Sequence, residues 1–252
     1  MSFVVAILPV ILIGIYVYKK DKIKESSNLL AKLFVGGISS CFPAAIVGLI
    51  LGSFFPEVGN MNFIQLFIYV FVVVAFVEEV CKWIFLYNIA YKNPEYDSSY
   101  DMLVYACFAA LGFACFENIL YVLESGFMTA LLRAFTAVPG HVCDGILMGS
   151  YLTLAKHNDL LGNQKLAKKY KRLSIVVPAV VHGIYDFCLF AESLTFLLIF
   201  IVFVITMYVV CIKKIKYFSN NNKKFFHKNN YCTKCGTPAN SNYCVVCGNK
   251  NN

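Results

Sequence analysis

Apolar runs recur along almost the whole chain, and they leave it few ways to fold. Seven of them, at residues 3–18, 33–55, 63–90, 101–123, 127–155, 174–191 and 194–212, follow one another with short polar breaks. Each is long enough as a helix to cross a hydrocarbon layer about 30 Å thick, the first being the shortest. The sequence therefore predicts an all-α fold, a polytopic transmembrane helix bundle of about seven spans. Composition agrees, with 59% of the 252 residues hydrophobic and 14% charged, where a soluble domain carries about a quarter charged. The run at 3–18 lacks a basic leading segment and a small-residue cleavage site, so it is expected to stay as a span.

The formal net charge of +8 does not point to nucleic acid, because almost all Lys and Arg fall in short loops and tails. The loops after the first, third, fifth and seventh runs hold them, and the other loops hold none. Basic loops stay on the cytoplasmic side, which places the N-terminus outside and the C-terminus in the cytoplasm. The alternation also favours an odd number of crossings.

Several polar residues interrupt the apolar runs. The third run carries Glu78, Glu79 and Lys82, and on a helix both carboxylates can meet the ammonium on one face. The fourth carries Glu117 and Asn118, the fifth His141 and Asp144, and the sixth His182 and Asp186 at i, i+4 spacing. Isolated on separate helices, these nine side chains would cost on the order of 20 kcal/mol to insert. They are therefore expected to converge on one another or on a wet cavity. Glu and His together can activate water, one as general base and the other orienting it or donating a proton. Each also has a structural reading: a self-neutralised charge patch for Glu78, Glu79 and Lys82, and a hydrogen-bonded pair for His182 and Asp186. Asp144 is expected to pair with His141 or Lys82. Arg133 is expected near the outer interface, its head reaching toward headgroups, and Tyr121, Tyr185 and Trp83 are expected to be packing aromatics.

In order, Glu78-Glu79-x-x-Lys82, Phe113-Ala-Cys-Phe-Glu117-Asn118, His141 and His182-Gly-Ile-Tyr-Asp186-Phe resemble the PrsW family of intramembrane proteases. That family in turn resembles the CAAX-prenyl endopeptidases and bacteriocin-processing enzymes. The resemblance covers residues 63–192 and implies an intramembrane endopeptidase of a bacterial cell membrane. Its implied substrate is a single-span membrane protein, such as an anti-sigma factor. It implies Glu78 as the base that activates water, Glu79 alongside, and His141 and His182 as partners supporting the oxyanion. Lys82, Glu117, Asn118 and Asp186 complete the candidate catalytic set. An active-site metal stays open, since two His and a Glu can also hold zinc with one free position. Asp186 stands where the wider group often has Asn, which suits a carboxylate that orients His182. Two other classes compete, an ion-coupled transporter and a non-catalytic membrane sensor or scaffold.

The C-terminal end has different chemistry. Of the eleven cysteines, seven are scattered through apolar runs, and four form two C-x-x-C knuckles. Cys232, Cys235, Cys244 and Cys247 are expected to hold a structural zinc in a small ribbon at residues 231–252, since so short a unit cannot build a core without metal. The expected organisation is a membrane domain at 1–215, a linker at 216–230 and the ribbon, which could bind a cytoplasmic protein partner.

Overall fold

The computed structural model describes residues 2–225. Among the described residues, eight α-helices carry the fold: α1 (Ser2–Lys20), α2 (Ser27–Gly52), α3 (Phe63–Ile68), α4 (Val77–Leu86), α5 (Asp101–Phe135), α6 (Ala137–Leu160), α7 (Gln164–Phe190) and α8 (Leu194–Asn220). Local signals set several starts. Ser26 accepts a hydrogen bond from the Leu29 amide at the head of α2, and Asn62 and Gln65 cap α3 reciprocally. Both satisfy amides that have no partner inside the helix. A π-helical stretch, Tyr69–Phe76, joins α3 to α4, and a second, Tyr87–Tyr91, extends α4, giving one rod spanning Phe63–Tyr91. Such widened turns are rare and gather at functional sites.

Among the described residues, six helical stretches are long and apolar enough to cross a membrane, one of them the 60 residues of Asp101–Leu160. That stretch reverses. Gly126 has φ 78° and ψ −163° inside α5, a backbone that L side chains rarely adopt. The reversal brings Arg133 within 2.8 Å of Glu117, residues that a straight helix would hold about 24 Å apart.

Small residues set how closely the helices approach. A Cβ placed on Gly112 of α5 would lie 1.9 Å from the Phe34 carbonyl oxygen of α2, and one on Gly37 would lie 1.9 Å from the Ala109 oxygen. Gly145 and Gly149 of α6 bring that helix nearly as close to α5, with Cβ positions 2.8 Å from the Ala106 oxygen and 2.6 Å from the Met102 oxygen. Close backbone approach is what drives helix association where apolar burial gives no gain. Gly112→Val is expected to destabilise the protein by about 1–3 kcal/mol, the usual effect of overpacking. A lowered thermal aggregation midpoint in detergent, beside an unchanged midpoint for Gly59→Ala where space is open, is the check.

At the end of the bundle near residue 100, the Asp101 carboxylate accepts hydrogen bonds from the Asp97 and Ser98 amides. Tyr105 donates to Glu25, and burial pushes the Glu25 carboxyl up to about 8. The chain leaving α8 is tied to the same corner, with Lys224 Nζ 2.7 Å from Asp97 and the Phe225 amide donating to the Asp97 carbonyl. The helix α8 itself continues past residue 216, to Asn220. The four expected zinc ligands Cys232, Cys235, Cys244 and Cys247 lie outside the described residues. The seven cysteines within them are buried and unpaired, as expected of small apolar fillers.

Candidate active site

The polar residues of four spans meet in one cluster. On α4, Lys82 Nζ lies 2.7 Å from Glu79 Oε1 and 3.6 Å from Glu78 Oε2. The adjacent carboxylates nevertheless face different surroundings. Glu79 has no exposure and accepts from His182 Nδ1 at 3.0 Å as well as from Lys82. The Glu78 side chain is 17% exposed and opens into space.

The helix α6 supplies His141, whose two ring nitrogens have fixed roles. An ammonium only donates, so Lys82 Nζ donates to Nδ1 at 3.0 Å. Nε2 then carries the proton and donates to Glu117 Oε2 at 2.7 Å. From α7, His182 Nε2 lies 3.3 Å from Asp186 Oδ2 and 3.9 Å from Glu78 Oε2. The imidazoles stand 5.2 Å apart, edge to face. Asp144 Oδ2 is 4.0 Å from His182 Nδ1, and Lys82 also lies over the Phe113 ring at 4.0 Å.

Two cavities flank this cluster. One, of about 590 Å³, lies among the α3–α4 rod, α5, α6, α7 and α8, and the other, of about 1110 Å³, among α2, the 53–61 segment, the same rod and α5. Glu78, Glu117, Tyr69 and Tyr121 line both. His141, Asp144, His182 and Asp186 line the first. Glu79, Lys82 and Asn118 line neither. Asn118 is fully buried and ties α1 to α5 through the Ala6 carbonyl at 3.1 Å. Of the eight expected site residues, five thus face open space, and three stand behind them or brace the helices.

The expectation for Arg133 is corrected. Rather than reaching toward headgroups, it turns inward after the Gly126 reversal, donates to Glu117 Oε2 at 2.8 Å and to Asn118 Oδ1 at 3.1 Å, and stacks over Tyr121 at 3.8 Å. A lone Arg in an apolar run needs a carboxylate, and the only clue in the sequence was that Glu117 sits at a matching depth across the turn. Tyr121 and Tyr185, expected as packing, line the first cavity. Arg133→Gln is therefore expected to lower the rate of the reaction this site supports by about tenfold, the scale of a lost charge-assisted bond. Arg133→Lys should retain part of it. Equal rates for Arg133→Gln and wild type would remove Arg133 from the site.

The donor set suits a divalent cation. Glu78 Oε2, Glu79 Oε2 and Asp144 Oδ1 are buried with no hydrogen-bond partner among the described residues, an uncommon state for carboxylate oxygens. Five carboxylates face Lys82, Arg133 and the two imidazoles, of which His141 is neutral by its bond from Lys82. Bound protons or a cation must balance the rest. Two groups have ligand atoms close enough to share an ion: Glu79, His141, Asp144 and His182, or Glu78, Glu117 and His141. Lys82 touches members of both groups, but Glu79 of the first lines neither cavity, whereas all three residues of the second face one.

A family model described as PrsW family intramembrane metalloprotease matches residues 25–212. The chain is 35% identical to protease PrsW of Oceanobacillus iheyensis over 215 residues, covering 85% of this chain and 94% of the relative. It is 34% identical to protease PrsW of Bacillus subtilis over 200 residues (78% of this chain, 87% of the relative). With protease PrsW of Clostridioides difficile it shares 30% identity over 233 residues (90% and 95%). No solved structure matches.

Proposed function

Because this chain belongs to the PrsW family and is an intramembrane metalloprotease, we propose that Glu78 is the base activating the water that attacks the scissile peptide. One observation carries this assignment: of two adjacent carboxylates, only Glu78 opens into the cavities, while Glu79 is enclosed by Lys82 and His182. Glu79 is then a positioning residue. It holds His182 by Nδ1, so that Nε2 points toward Asp186 and Glu78, where it can pass the proton to the leaving amine. His141 Nε2–H and Arg133, both directed at the Glu117 carboxylate, are the donors nearest the place where an oxyanion would form. A metal held by Glu78, Glu117 and His141 would displace the Nε2 proton, making His141 a ligand in place of a donor, and would supply Lewis-acid polarisation of the carbonyl or acidify the water.

The substrate we propose is a single-span membrane protein, with an anti-sigma factor the leading candidate. Counting the reversal at Gly126 as a turn between two crossings gives seven, with the N-terminus outside and the C-terminus in the cytoplasm of a bacterial cell. A zinc ribbon at residues 231–252, held by Cys232, Cys235, Cys244 and Cys247, would then meet cytoplasmic partners. The carrier and scaffold readings are not favoured, since the relatives are proteases.

The test is the membrane proteome of cells carrying wild type or a Glu78→Gln copy. A single-span protein that accumulates uncut only with Glu78→Gln supports the proposal, and indistinguishable membrane proteomes sink it. For the metal, chelation should abolish cleavage by protein whose four tail cysteines are replaced by serine, and added zinc should restore it. Full activity in metal-free protein would leave the site metal-independent.

A further inference from the structure

On the protease reading, the second cavity is the candidate substrate path. A protease that cuts within a chain needs room for that chain on both sides of the scissile bond. Glu78 and Glu117 have such room, since the two cavities meet across them with Val58, Tyr69, Val74 and Tyr121 as shared walls. A helix with its side chains is about 10–12 Å wide and keeps its carbonyls bonded. The segment that reaches Glu78 must therefore be unwound.

The second cavity has the shape of a lateral opening. The helices α2 and α5 are pinched together at Gly37 and Gly112, where their backbones touch. Farther along α2 they part, and a Cβ on Gly48 would meet nothing within 4 Å. The sides of the resulting gap are apolar and outward-facing: Phe42 is 55% exposed, Leu49 76% and Leu120 50%. The charge is one-sided, for the charged residues of the wall are Glu57, Glu78, Glu117 and Glu124, all acidic. Glu57 and Glu124 are exposed at the end of the gap that the proposed topology puts outside.

We infer that an apolar transmembrane segment enters sideways from the lipid through the gap between α2 and α5, and that Glu57 and Glu124 select segments with Lys or Arg on their outer flank. Basic residues are scarce on that side of membrane proteins, so few segments carry the mark. The unwound part of the segment crosses Glu78, and its continuation lies in the first cavity.

The experiment uses the full chain carrying Glu78→Gln, reconstituted in vesicles with a synthetic single-span Leu/Ala peptide whose outer flank is Lys-Lys, Ser-Ser or Glu-Glu. A photoreactive residue replaces Leu49, Leu120 or, as a control that lines neither cavity, the exposed Ile201 of α8. Cross-links should form from Leu49 and Leu120 well above Ile201. The Lys-Lys peptide should exceed Ser-Ser by about threefold, the scale of an exposed ion pair, and Glu57→Gln with Glu124→Gln should erase that preference. Gly48→Trp, placed in open space, should fold normally and suppress the cross-links. Yields at Leu49 and Leu120 no higher than at Ile201 overturn the inference, and so does a flank preference that survives loss of both glutamates. Cleavage of the same peptides by the wild-type chain is read separately. Gap cross-links without cleavage uphold the docking site and count against the catalytic reading.

Discussion

Glu78→Gln protein, purified and monodisperse, is expected to cleave a single-span substrate about 10²–10⁴-fold more slowly than wild type, the usual effect of losing a general base. The amide keeps the shape of the side chain and can still accept a hydrogen bond, but it cannot take a proton from water. The surroundings make this a test of chemistry more than of folding. Glu78 makes only long contacts, 3.6 Å to Lys82 and 3.9 Å to His182, so a neutral side chain there releases no tightly held partner. Glu79→Gln should behave differently. Its carboxylate accepts from both Lys82 and His182, so the neutral amide should weaken the fold as well as the rate. Wild-type cleavage by well-folded Glu78→Gln would end the assignment of the water-activating role to this residue.

Lys82→Met is expected to lower stability by about 3–5 kcal/mol, the effect of removing one partner from a buried ion pair. In a membrane protein this should appear as loss of monodisperse material. Lys82 is 3% exposed and is the cation nearest Glu79; it also fixes the tautomer of His141 through Nδ1. Without it, Glu79 keeps only His182 as a hydrogen-bond donor. The double change Glu79→Gln with Lys82→Met removes both charges together, and such replacements of buried pairs are often neutral. It should recover much of the folded yield while staying poorly active, because His182 has lost the carboxylate that orients it. A double variant no better folded than Lys82→Met alone would show that the pair does not act as a unit.

The sequence by itself determined the fold class, because seven apolar runs permit little besides membrane-crossing helices. It also determined that Glu78, Glu79, Lys82, Glu117, His141, His182 and Asp186 share one place. Charges in hydrocarbon must find partners, and those on neighbouring helices can find only one another. What the sequence could not decide was the division of labour. Glu78 and Glu79 are adjacent and chemically alike. Which one faces open space depends on how α4 is rotated against α5 and α7, and that rotation is set by packing around it, by the π-helical stretch before it and by close contacts such as Gly183 against Phe71. Arg133 was misjudged for a related reason. Its depth in a run is legible, but its partner is fixed by the reversal at Gly126, which folds the chain back beside Glu117. Glu25 gave no signal at all, because a carboxylate in a polar loop looks solvated until Tyr105 of another helix covers it. Periodicity and the energy of burying charge are properties of the chain, whereas rotation, reversal and cover arise only when helices distant in sequence are packed together.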